Sequence, residues 1–260
     1  MIPTFLIISN ILKDKFALPE IRVSKEEEST NFHQTLLKVF SSGQKRLISN
    51  LLWIHTMLEG DTEKVEDGNS WMYYRFKSIA SLEPLFYENY IYGGVYLSII
   101  KDDAHGAADI YNLGIQQYKN DFWLNYNGAF NDYFELQDKE AALKKYKVVL
   151  SSPEAKRHAG YLPSLVSRIQ AETGGLREAY IILLNHYNNT PKGPIKIRLK
   201  ESLYSLKAEI DLNCLNSGKK NCENYDLNKV RYFIQDGKYR AEQTWTKFRP
   251  KKRRTKSSSF

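Results

Sequence analysis

Residues 70–81, with the sequence SWMYYRFKSIAS, decide the fold because their apolar side chains follow the period of a helix. Met72, Phe76, Ile79 and Ala80 are spaced i, i+4, i+7 and i+8, which places them on one helical face. The same pattern recurs three times along the chain, after steps of 35, 35 and 37 residues. Apart from one histidine, the later copies have apolar, aromatic or small residues at these positions: Ala107, Tyr111, Gly114 and Ile115; Ala142, Tyr146, Val149 and Leu150; Ala179, Leu183, His186 and Tyr187. We therefore expect four copies of one helical unit.

Each copy follows another segment of helical length with apolar or aromatic residues at three- and four-residue spacing. These preceding segments are residues 44–58, 87–100, 122–136 and 160–171. Pro84, Pro153 and Pro191 lie near the ends of the second helices, and proline cannot continue a helix. The pattern predicts that helices and short turns alternate along the chain.

The repeat resembles the tetratricopeptide (TPR) repeat, whose unit of about 34 residues consists of two antiparallel helices with small residues where they cross. Ala142 matches the small crossing residue of the family's second helix. Gly93 and Gly128, again 35 residues apart, match the small position on the first helix. The resemblance covers about residues 43–190, although the first unit has a long connection at residues 59–69. It implies an all-α fold, a right-handed solenoid of antiparallel helical hairpins.

Composition divides the chain into five parts. The first three are an apolar N-terminal segment and linker (residues 1–42), the TPR-like repeats (43–192) and a capping helix (193–216). They are followed by a C-terminal extension (217–246) and a basic tail that we expect to be disordered (247–260).

A capping helix is expected because an open array of repeats must cover its last apolar face. Asp211 is expected on the outer side of this helix. The residues expected to face inward are Ile195, Leu199, Leu203, Leu206 and Ile210. Further along, Asp236 and Gly237 separate two apolar runs, which predicts a small hairpin or a tight turn.

Common enzyme motifs are missing from the sequence, including GxxxxGK[ST], GxGxxG, HExxH and GxSxG. No two of the five histidines are spaced i, i+4, as zinc ligands on one helix would be. Asp102, Asp103 and His105 form a local group, but aspartate in a turn before a helix is an ordinary cap. We expect a non-enzymatic protein with no catalytic residues, no cofactor and no metal.

The resemblance implies a ligand-binding face, because TPR arrays bind peptides or proteins along a concave face lined by their first helices. In this register Tyr92, Tyr96, Asn127, Asn131 and Arg168 are expected on that face. Asparagine can hold the backbone amides of an extended peptide, although the two asparagines could equally be ordinary solvated residues. We expect a protein-interaction scaffold that binds a peptide or protein partner of unknown identity.

Positive charge is concentrated at the C-terminus. The formal net charge is +8, and residues 247–256 contain seven basic residues and no acidic residue, so the rest of the chain is almost neutral. Such a cluster predicts an alternative function, binding to nucleic acid or to an anionic membrane. The basic residues assigned to this partner are Lys247, Arg249, Lys251, Lys252, Arg253 and Arg254.

The cysteines and the N-terminus bear on localisation. Cys214 and Cys222 are separated by a loop that favours chain reversal, so they are expected to form either a disulfide or two unpaired thiols. Residues 1–12 are apolar and form either a segment that packs on the repeats or a degraded membrane anchor. A disulfide would favour a membrane-associated protein with an extracytoplasmic domain, and the alternative is a cytoplasmic protein.

Overall fold

The computed structural model describes residues 43–158 and 160–248, and the chain divides at Gly106 into two compact units. The first unit contains α1 (Lys45–Leu58), α2 (Trp71–Leu82), α3 (Tyr87–Val95) and a π-helical turn, π1 (Tyr96–Ile100). Helix α4 (Ala104–Gln117) begins in the first unit and continues in the second. The second unit contains α5 (Phe122–Phe130), the π-helical turn π2 (Asn131–Glu135), α6 (Lys139–Ser151), α7 (Ala155–His158), α8 (Leu162–Glu172), α9 (Leu176–Asn189), α10 (Pro194–Asn216), β1 (Phe233–Gln235) and β2 (Lys238–Arg240). The described chain is mostly helical, which confirms the all-α class.

The repeat predicted from the sequence is present in the burial pattern of the helices. Ala107 and Ala142 are both 0% exposed, as expected for residues at helix crossings. Tyr111 and Tyr146, one turn further along, are also buried. All the described residues between positions 70 and 190 lie in helices, turns or loops, with no strand among them. The helical register predicted for these segments is therefore confirmed.

Two glycines allow neighbouring helices to approach closely. A Cβ atom at Gly93 would lie 3.0 Å from the ring of Phe76 within the first unit. A Cβ at Gly128 would lie 3.3 Å from the Cβ of Tyr111 within the second unit. Both members of the second pair lie 35 residues after those of the first, so the same glycine-to-aromatic packing is built twice.

The backbone repeats at the same interval. Lys101 follows π1 and Leu136 follows π2, and each donates its N–H to the carbonyl five residues earlier, at 3.1 Å in both turns. The next residues, Asp102 and Gln137, both have a φ of 57°. Asp103 and Asp138 follow, and each carboxylate accepts the backbone N–H three residues on, at 2.8 and 2.9 Å. Both first helices therefore end, and both second helices begin, in the same way.

Helix α10 covers the apolar side of α9 with Leu199, Leu203 and Leu206. Ile210, also expected to face inward, is half-buried. Two other predictions for this helix, those for Ile195 and Asp211, are wrong. Ile195 is exposed because it lies in the first turn, before α10 packs on its neighbours. Asp211 is buried because it pairs with Lys207 at 3.0 Å and accepts a 3.0 Å hydrogen bond from the Tyr232 hydroxyl.

The expected hairpin is present at the end of the second unit. Strands β1 and β2 are antiparallel, and their turn consists of Asp236 and Gly237, with φ of 53° and 75°. Positive φ at both central residues is the geometry that Asp-Gly hairpin turns require. Asn216, the last residue of α10, donates to the carbonyl of Tyr239 and accepts from its N–H, at 3.1 and 2.8 Å. These bonds fix the hairpin against the helix.

Cys214 and Cys222 form a disulfide, with their Cα atoms 5.7 Å apart. The bond ties the end of α10 to the loop that leads to the hairpin. Among the described residues, none of the helices is both long enough and apolar enough to cross a bilayer. Residues 1–12 lie outside the described residues, as does the basic tail beyond Phe248.

Candidate functional site

The two tyrosines expected on the binding face lie in the first unit and differ in environment. Tyr92 is exposed on α3. Tyr96 is half-buried, and its hydroxyl donates to the carbonyl of Asp61 at 3.0 Å. Lys101 and Trp71 also hold Asp61, through its carboxylate. Tyr96 therefore fixes the long connection after α1 and is a structural residue.

The carboxylate of Asp61 shows how firmly this connection is held. Burial alone would raise its pKa, but the hydrogen bonds from Lys101 and Trp71 outweigh that effect, so the pKa of Asp61 lies below its usual value. Lys101 is itself buried, and a buried ammonium requires such a partner. The connection at residues 59–69, which departs from the TPR pattern, is thus an ordered part of the first unit.

In the second unit the two asparagines do not form a pair on the surface. Asn127 is half-buried, and its amide donates to the carbonyl of Trp123 in its own helix at 2.9 Å. Asn131 is 0% exposed, so its assignment to a binding face is wrong. The prediction placed both asparagines on the binding face from the register of the repeat, whereas the structure buries Asn131 and exposes aromatic residues of the same segment.

The outer face of α5 and π2 is aromatic. Trp123, Phe130 and Phe134 are 45%, 39% and 40% exposed, and Tyr161, just before α8, is 55% exposed. We call these four residues the aromatic face. The rings of Phe130 and Phe134 lie 4.5 Å apart between centroids. The spacing of the first three residues, i, i+7 and i+11, was the sequence signal for a common helical face.

A tyrosine pair connects α5 to the start of α8. The hydroxyls of Tyr126 in α5 and Tyr161 are hydrogen-bonded to each other. Burial raises the pKa of Tyr126 to about 12, and the contact with Tyr161 adds to this shift. At neutral pH the Tyr126 hydroxyl therefore keeps its proton, and its hydrogen bond to Tyr161 links α5 to the start of α8.

Two ion pairs with buried carboxylate side chains join the helices of this part of the chain. Asp132 in π2 pairs with Lys145 of α6 at 2.7 Å, and Lys139 of α6 pairs with Glu172 of α8 at 2.7 Å. Burial raises the pKa of Asp132, although Lys145 opposes the shift. A buried carboxylate keeps its cation in place because separating the two leaves an uncompensated charge. The aromatic residues are thus carried by a rigid support.

Arg168 is exposed on α8, and its guanidinium carbon lies 5.5 Å from the centroid of the Phe248 ring. Lys247, next to Phe248, is exposed and is the one assigned cation within the described residues. Arg249, Lys251, Lys252, Arg253 and Arg254 lie outside them. Phe248 was not singled out in the sequence because it is a lone aromatic residue in a basic segment.

A cavity of about 630 Å³ lies between α6, α8 and α9. Its wall includes Leu150, Pro163, Ile182 and His186, and burial lowers the pKa of His186. The part of the chain that the structure describes contains no group of three or more potential metal ligands.

No family model, curated protein or solved structure matched this chain. The TPR resemblance therefore depends on the residues and on the geometry that repeats at intervals of 35.

Proposed function

We propose that this chain is a non-enzymatic protein-interaction module built from TPR-like repeats, and that it binds a protein partner through the aromatic face. The observation that carries the proposal is the exposure of Trp123, Phe130 and Phe134 at helical spacing, with the exposed Tyr161 hydrogen-bonded to Tyr126 of the same helix. Exposed apolar patches on a rigid support mark interaction sites. Tryptophan and tyrosine are also the residue types that dominate binding energy at protein interfaces.

The repeat geometry supports a TPR-like arrangement of the helices. Equivalent glycines lie against equivalent aromatic residues, and equivalent aspartates cap the second helices. A first helix that ends in a π-turn in each of two successive repeats departs from a regular α-helical hairpin. We place the chain as a divergent member of this architecture, with the binding function on the first helix of a repeat.

The partner's surface is inferred from the chemistry of the aromatic face. Three rings at helical spacing offer apolar contact along about two to three turns of helix, which suits a partner segment that presents several apolar side chains. Asn127 and the Tyr161 hydroxyl border the rings and can hydrogen-bond to the backbone of that segment.

Photo-crosslinking from the aromatic face tests this proposal. A photoreactive phenylalanine analogue is placed at Phe134, and the matched control has it at Phe233, an exposed phenylalanine of the hairpin. We expect covalent capture of one dominant partner from position 134 and none from position 233. Phe130→Ser should reduce this capture about tenfold or more, as loss of an interface hot spot does. Equal capture from both positions, or no capture from position 134, would contradict the proposal.

A second candidate function depends on the seven basic residues between positions 247 and 256. We infer that the tail binds anionic polymers or surfaces. Truncation after Phe248 should abolish binding to single-stranded DNA or to vesicles that contain anionic lipid, and the binding of the intact chain should weaken steeply with salt. The two probes distinguish a nucleic acid from a membrane. Binding that survives the truncation would exclude the tail as the site.

A further inference from the structure

The C-terminal end of the described chain lies in a cleft between α8 and α10, which we call the anchor cleft. Phe248 is 8% exposed, while Thr246 and Lys247 beside it are exposed. The Phe248 ring joins the apolar cluster formed by Leu199, Leu203 and Leu206 of α10 and by residues of α8 and α9. At its end, this segment is therefore held by one buried side chain.

The opposite wall of the cleft is cationic. The Arg168 guanidinium lies over the Phe248 ring, within the distance at which a cation is attracted to the face of an aromatic ring. An aliphatic side chain would fill the apolar floor but would gain nothing from this cation. The pairing of a leucine-rich floor with an arginine therefore selects for an aromatic residue.

The rim of the cleft adds a second preference. A cavity of about 280 Å³ beside the ring is lined by Glu201, Ser202 and Ser205 of α10 and by Thr246 and Lys247 of the segment itself. A carboxylate and two hydroxyls suit a basic residue and the backbone of an extended chain. The cavity shows that the segment does not fill the cleft completely.

We propose that the anchor cleft is a binding site for extended peptides in which an aromatic residue follows a basic one, and that Lys247 and Phe248 fill it as an intramolecular ligand. This function goes beyond the aromatic face, because the two sites use different residues. A segment anchored by one ring at its end, and continuing into a basic tail, can be replaced by a peptide of the same kind. The segment of a second copy of this chain meets that description.

The test uses a fluorescein-labelled peptide with the sequence of residues 241–256, AEQTWTKFRPKKRRTK. Its binding to the intact chain and to Phe248→Ala is measured by fluorescence anisotropy at about 0.3 M salt, which screens charge-only binding. We expect Phe248→Ala to bind the peptide about tenfold or more tightly than the intact chain, because its own competitor is gone. The matched control, Phe233→Ala, changes an exposed aromatic residue of the hairpin and should bind like the intact chain.

Two further variants identify the contacts. A peptide with alanine in place of Phe248 should bind the Phe248→Ala chain about tenfold less tightly, and Arg168→Ala in that chain should weaken the original peptide. Equal affinity of the two peptides would overturn the proposal by showing that charge alone holds them. Equal affinity of the intact and Phe248→Ala chains would overturn it as well. So would loss of the helical circular dichroism in Phe248→Ala, since a replaceable ligand cannot be essential for folding.

Discussion

Asn127 and Asn131 lie four residues apart in one helical segment, but only the second is buried. Asn131→Ala should lower the free energy of unfolding by about 1–3 kcal/mol, because the substitution removes a buried polar side chain and leaves its neighbours unsatisfied. Asn127→Ala should change the free energy of unfolding by less than about 0.5 kcal/mol, since this side chain donates its hydrogen bond to Trp123 in the same helix. Urea denaturation of both variants measures the difference. Equal stability of the two variants would show that burial does not separate them.

The two asparagines also show which residues the sequence could place. The burial of Ala107 and Ala142 was predicted correctly, because a small residue that recurs within an apolar stripe is typical of a helix crossing. A polar residue carries no such signal, since its burial depends on partners from other helices. Asp211 was misplaced for the same reason, because Lys207 and Tyr232 satisfy its carboxylate inside the protein.

The loop between α10 and the hairpin depends on the disulfide, which joins two cysteines eight positions apart. Closing so short a loop should contribute about 2–3 kcal/mol on the chain-entropy model. A reductant should therefore lower the free energy of unfolding of the intact chain by about this amount, as measured by urea denaturation. The double variant Cys214→Ser with Cys222→Ser is the control, and its stability should not respond to reductant. Two freely reactive thiols in protein taken from cells without reductant would contradict the bond.

At the scale of helices, periodicity was sufficient to locate the elements and insufficient to describe their ends. The predicted segments 87–100 and 122–136 match α3 with π1 and α5 with π2 almost residue for residue. The π-turns were not predicted, because α and π turns differ by one residue and leave the same short apolar spacing. The spacing of Trp123, Phe130 and Phe134 placed them on a common helical face in the sequence, but only the structure shows that this face is exposed.

Across the whole molecule, burial of tyrosine hydroxyls links stability to pH. Burial raises the pKa of several tyrosines, and for Tyr126 and Tyr204 the value reaches about 12. The others with a strong shift in the same direction are Tyr111, Tyr146 and Tyr232. A tyrosine ionises in the unfolded chain near pH 10, so the folded state holds these protons more tightly. The stability that follows is complete below pH 10 and is lost as the pH rises through the folded pKa.

We therefore expect the urea midpoint of the chain to fall between about pH 10 and pH 12, with part of the tyrosine ionisation delayed until the protein unfolds. Absorbance at about 295 nm follows ionisation, and circular dichroism follows the helices in the same samples. Tyr126→Phe removes one of the shifted groups, so its loss of stability between pH 8 and pH 11.5 should be smaller than that of the intact chain. The variant lacks the hydrogen bond to Tyr161 at both pH values. Comparing the loss of stability between the two pH values within each protein therefore removes the contribution of that bond. If all 18 tyrosines ionised with a midpoint near pH 10 while the helices persisted, the hydroxyls would have to be exposed, contrary to the fold described here.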